Sequence, residues 1–147
     1  MGLTVGSTGR AAIDTGLRSS GEQEAVIQWA ALMRNAHPEL LNLYHVPNEG
    51  KRSKAEAARQ QRLGLRRGVP DLILDYPKGI YHGLRVEMKV KPNKTTADQE
   101  AWLERLARAG YCVAVCYSAQ EAIETIDAYI KLRPGQTHPK EQRRTET

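Results

Sequence analysis

Leu84-Arg85-Val86-Glu87-Met88-Lys89-Val90 alternates apolar and charged side chains without a break. An extended strand sends these two sets to opposite faces, with Leu84, Val86, Met88 and Val90 on one and Arg85, Glu87 and Lys89 on the other. A chain with such a run builds a sheet that packs one face and carries a carboxylate and an amine, two residues apart, on the other. A second apolar run, Gly68-Val69-Pro70-Asp71-Leu72-Ile73-Leu74, precedes it. Pro77-Lys78-Gly79 lies between the runs and supplies turn chemistry, so a hairpin is expected, with Asp71 beside Glu87. Pro70 suits the first position of a strand and fixes the entry of Asp71.

The rest of the pattern predicts an α/β domain. Glu22 to Asn35 reads as an amphipathic helix on Val26, Trp29, Ala30 and Met33, with Ser20 as N-cap and His37-Pro38 as the stop. Leu41 to Val46 is a short strand. Ser53 to Leu63 is an Ala-rich basic helix stopped by Gly64. Ala97 to Ala109 is a third helix, capped by Thr95 or Thr96 and ended by Gly110. Tyr111 to Tyr117 is apolar on both faces and is expected as a central strand. Ser118 starts the last helix. The order α-β-α-β-β-α-β-α, with a helical crossover between Val90 and Tyr111, makes those two strands parallel and predicts a mixed β-sheet flanked by helices. Residues 1–20 are expected as a flexible arm, 21–132 as the domain and 133–147 as a basic flexible tail. No stretch reaches membrane-spanning length and no apolar leader opens the chain, so a soluble, cytoplasmic protein is expected. Cys112 and Cys116 lie too far apart along one strand for a disulfide, and are expected as buried thiols.

Asp71 and Glu87 are hard oxygen ligands of the kind that suit Mg²⁺ or Mn²⁺, and a lysine beside them can orient a water or stabilise charge on a phosphate. The same Glu-x-Lys pattern also serves as a solvated face with a cross-strand ion pair. On the first helix, Glu22 falls on the stripe of Val26 and Trp29, whereas Glu24 points away. On the third helix, Gln99 falls on the stripe of Trp102, Leu103 and Leu106. Glu22 could equally be a carboxylate favoured by the dipole at a helix start, and Gln99 a capping residue.

Net charge is +5, and Lys51, Arg52, Lys54, Arg59, Arg62, Arg66 and Arg67 face only Glu56 in their segment. That segment thus carries +6 and the remainder −1, an electrostatic footprint for a polyanion such as nucleic acid. A solvated helix face is the alternative.

Pro70-Asp71 followed by Glu87-Met88-Lys89 resembles the PD-(D/E)XK nuclease superfamily. The ordered set of Glu22-Gln23, Ile27-Gln28-Trp29-Ala30, Pro38-Glu39-Leu40, Pro47-Asn48-Glu49-Gly50-Lys51-Arg52, Gly68-Val69-Pro70-Asp71-Leu72, Tyr81-His82-Gly83-Leu84, Glu87-Met88-Lys89, Gln99 with Trp102-Leu103, and Gly110-Tyr111 is similar to its VRR-NUC branch. The chain is similar to the small stand-alone forms common in bacteriophages. The resemblance implies a PD-(D/E)XK (restriction-endonuclease-like) core and a Mg²⁺- or Mn²⁺-dependent DNA endonuclease leaving a 5′-phosphate. Asp71, Glu87 and the Met88 backbone carbonyl would be metal ligands, with Glu22 a further one. Lys89 would position or activate the attacking water, and Gln99 would line the site. Lys51, Arg52, Arg62, Arg66 and Arg67 would contact DNA, whereas Glu49 departs from the small residue expected in its loop. A homodimer acting on branched DNA such as Holliday junctions, in phage replication or DNA repair and in the cytoplasm of a bacterial host, is the implied setting. A non-catalytic DNA-binding module on the same fold and a sequence-reading restriction-type nuclease are the alternatives.

Overall fold

Four strands in the order β1-β2-β3-β4 form one mixed sheet. The computed structural model describes residues 11–47 and 52–141, with side chains from residue 21 onward. The elements are α1 (Ala11–Met33), a 3-10 turn (Pro38–Asn42), β1 (Leu43–His45), α2 (Lys54–Arg62), β2 (Leu72–Leu74), β3 (Leu84–Met88), α3 (Ala97–Arg108), β4 (Cys112–Cys116) and α4 (Ala119–Ile130). β2 and β3 pair antiparallel, with Leu72 opposite Val86 and Leu74 opposite Leu84. β3 and β4 run parallel, with Val86 opposite Ala114 and Met88 opposite Cys116.

Cross-strand partners share a face, and this divides the sheet. Leu72, Leu74, Leu84, Val86, Met88, Cys112, Ala114 and Cys116 form one buried cluster with Val26 and Ala30 of α1 and Ala122, Ile126, Tyr129 and Ile130 of α4. The other face carries Ile73, Arg85, Glu87, Val113 and Val115, and α3 packs there against β4. Both cysteines are buried and unbridged on the core face.

Several expectations are corrected. β4 lies at the edge of the sheet rather than at its centre. Its apolar residues on both faces are explained by α3 on one side and α4 on the other, not by a strand on each flank. The first helix starts at Ala11, so Ser20, expected as its N-cap, lies inside it. Gly and Ser cost at most about 1 kcal/mol each in a helix interior, and a helix already nucleated downstream absorbs that. The strand expected from Leu41 begins at Leu43, because Pro38 at the start of its segment opens a 3-10 turn. The described part of the expected tail is docked. His138 is 2 % exposed. Its Nδ1 accepts from the Lys140 N–H, which leaves Nε2 to donate to the Thr125 carbonyl. The Tyr81 hydroxyl bonds Glu141 and receives the His138 N–H. Residues 1–10, 48–51 and 142–147 lie outside the described residues, and with them Glu49 and Lys51.

Candidate active site

Asp71 immediately precedes β2, and the β2–β3 register places it opposite Glu87. Its Oδ2 accepts the Met88 N–H at 2.8 Å. This bond takes the place of a ladder bond that β2 is too short to make. Lys89 N–H turns the other way, to the Cys116 carbonyl, so Met88 presents its carbonyl on the Asp71 side. Two carboxylates and one carbonyl thus converge at the end of β3.

The glycine that feeds this strand is part of the construction. Gly68 has φ +83°, and a Cβ there would come within 2.6 Å of the Asp98 backbone. The loop bearing Asp71 can therefore lie directly on the first turn of α3. That turn is closed by a capping box, with the Thr96 hydroxyl accepting the Gln99 N–H and Gln99 Oε1 accepting the Thr96 N–H. The amide nitrogen of Gln99 is thereby turned to Glu87, donating to its Oε1 at 2.8 Å. Capping and site-lining, read as alternatives from the sequence, are performed by the same side chain. Gln99→Ala is expected to cost about 1 kcal/mol of stability in a thermal melt and to lower the rate of any chemistry that depends on the orientation of Glu87.

Glu87 is 3 % exposed. Its Oε1 is held by Gln99 and stands 3.9 Å from Lys89 Nζ. Its Oε2 is buried and has no hydrogen-bond partner. Burial, and then the charge of Asp71, push its carboxyl up to about 8 against the weaker opposing pull of Lys89. A desolvated, mutually repelling carboxylate pair with an orphaned oxygen is what a divalent cation relieves. These residues fit a hard cation. Among the described residues no three His, Cys, Asp or Glu side chains gather as a metal cluster; the oxygens brought together here are those of Asp71, Glu87 and the Met88 carbonyl.

Glu22 is placed elsewhere. Its Oε2 accepts the Ala119 N–H, in the first turn of α4, where the Ser118 hydroxyl and the Glu121 carboxylate also accept backbone N–H groups. It is half-buried and Glu24 is exposed, as the helical register requires. Glu22→Ala is expected to lower stability by about 0.5–2 kcal/mol through loss of this cap, and Glu24→Ala to leave the urea midpoint unchanged.

The basic segment is exposed and splits in two. Arg52 precedes α2 and Arg62 ends it, while Arg66 and Arg67 follow in the loop leading to Asp71. Arg66 lies over the ring of Trp102, and so does Arg105 of α3. Arg105 escaped notice in the sequence. Its only signal is its position three residues after Trp102, one helical turn along.

A mixed four-stranded sheet flanked by helices, with Asp71 just before β2 and Glu87 and Lys89 at the end of β3, is consistent with a PD-(D/E)XK-like core. The VRR-NUC domain profile matches residues 7–120. A solved structure described as a VRR_NUC domain protein is 34 % identical, covers 80 % of this chain and 91 % of its own, and superposes with a TM-score of 0.67. No curated protein matches the chain in sequence. The chain belongs to the VRR-NUC family of nuclease domains. Among the described residues no helix is long and apolar enough to cross a membrane.

Proposed function

We propose that this protein is a Mg²⁺- or Mn²⁺-dependent structure-specific DNA endonuclease that hydrolyses phosphodiester bonds of branched DNA such as Holliday junctions, leaving a 5′-phosphate. The observation that carries the reading is the buried, unpartnered Oε2 of Glu87 beside Asp71 and Lys89. When bound, the cation supplies charge neutralisation at the phosphate and a lowered pKa for the attacking water. Asp71, Glu87 and the Met88 carbonyl would hold it. Lys89 is only 14 % exposed at its side chain, so its ammonium meets the substrate largely stripped of solvent. It orients the water and offsets negative charge building on the phosphate oxygens. Gln99 fixes the Glu87 carboxylate before substrate arrives, so orientation is not lost at the moment of reaction.

A homodimer suits such a substrate, since two sites related by a two-fold axis can nick two strands of a junction. The setting that goes with it is phage replication or DNA repair in the bacterial cytoplasm. A panel of end-labelled four-way junctions, flaps, splayed arms and duplex, incubated with Mg²⁺, Mn²⁺ or Ca²⁺, tests the assignment. Junction or flap cleavage above duplex cleavage supports it, with Ca²⁺ giving binding without product. Equal cutting of all substrates would reduce the protein to a general nuclease.

A further inference from the structure

Two segments distant in sequence meet beside the carboxylates to make a cationic pocket. The loop of Arg66 and Arg67 and the outer face of α3, with Asp98, Ala101, Trp102 and Arg105, enclose about 260 Å³. The Arg105 guanidinium carbon lies 4.6 Å from the centre of the Trp102 ring and that of Arg66 lies 5.3 Å from it. Three guanidinium groups thus face one carboxylate, Asp98. None of the three arginines pairs with a carboxylate among the described residues. An arginine resting on an indole is already oriented, so less rotamer freedom is lost when its N–H groups engage an anion. The volume falls below the roughly 300–1,000 Å³ of sites that enclose a whole small molecule, which suits a single group held at its mouth.

The register of α3 sets the distance to the chemistry. Gln99 touches Glu87, and Trp102 and Arg105 follow three and six residues later, about 4.5 and 9 Å along the helix axis. That short span keeps the pocket within reach of a backbone phosphate close to the bond being cut. We propose that it is a phosphate subsite, in which Arg66, Arg67 and Arg105 grip a backbone phosphate of the scissile strand at that distance. Trp102 acts as a positioning residue that holds the guanidinium groups. The distance is counted from the proposed scissile position and so rests on the nuclease reading.

The test is binding of the full chain in Ca²⁺, by fluorescence anisotropy, to duplexes each carrying one methylphosphonate at successive positions. For the wild-type protein one position weakens binding about tenfold, the scale of one charge-assisted contact. Arg105→Gln weakens binding to unmodified DNA by a similar factor, lowers the salt slope by roughly one unit, and removes the sensitivity at that one position. Arg66→Gln, on the opposite wall, does the same, and both exposed sites leave the melting temperature unchanged. Wild-type affinity and slope in both variants, or undiminished sensitivity at every position, would overturn the proposal. The assay reads no cleavage, so a protein that binds this way without cutting sinks the nuclease reading alone. One that cuts but shows no position effect sinks the pocket alone.

Discussion

Glu87→Gln is expected to abolish cleavage and, in the absence of divalent cations, to make the protein more stable at alkaline pH. The substitution keeps the shape of the side chain and removes its charge. The loss of a proposed metal ligand at the centre of the site should lower the rate on the order of 10³-fold or more. The gain in stability follows from the same burial. The folded-state pKa of Glu87 is raised from 4.5 to about 8 by desolvation and by Asp71. A carboxyl shifted upward favours the fold while it is protonated, so its contribution is complete below about pH 4.5 and is lost as pH rises through about 8. The wild-type protein should therefore lose on the order of 2–4 kcal/mol between pH 5 and 9, and Glu87→Gln should not. Urea unfolding at pH 5, 7 and 9 in the presence of chelator reads this directly. Parallel pH dependences in the two proteins would mean that Glu87 is not held in a desolvated site.

Asp71→Ala should also abolish cleavage, but with the opposite effect on the fold. Asp71 Oδ2 is the acceptor for the Met88 N–H at 2.8 Å, and its removal leaves a donor without a partner at the end of a buried strand. Such a loss costs about 1–3 kcal/mol. Asp71→Asn separates the two duties, because its amide oxygen can still accept the N–H while the negative charge is gone. The expected result is near-wild-type stability for Asp71→Asn, a lowered urea midpoint for Asp71→Ala, and no cleavage from either. Equal stability of all three proteins would remove the structural role given to this carboxylate.

The alternation from Leu84 to Val90 made β3 and its charged face readable, and with the Pro70-Asp71 run it predicted the antiparallel pairing and the meeting of Asp71 with Glu87. The crossover length predicted the parallel β3–β4 pair. The helical wheel separated Glu22 from Glu24, since side-chain direction is local, but could not name Ala119 as the partner 97 residues away. The edge position of β4 is hidden as well, because apolar residues on both faces report what packs above and below a strand, here α3 and α4, and not how many strands pair with its edges. His138 lies in a polar basic stretch, and only its distant partners Tyr81 and Thr125 explain its burial. Gln99 shows a further limit. Capping and site-lining look like rival readings of its sequence position, whereas the amide has two ends, one on the Thr96 N–H and one on Glu87.

Single-turnover cleavage of a four-way junction, as Mn²⁺ is titrated into chelator-treated protein, tests the central claim most directly. The site described here predicts no product without the cation, a saturable rise in rate with it, a 5′-phosphate on the product, and no cleavage by Glu87→Gln at any concentration. Cleavage at the full rate in excess EDTA, or by Glu87→Gln, would contradict it.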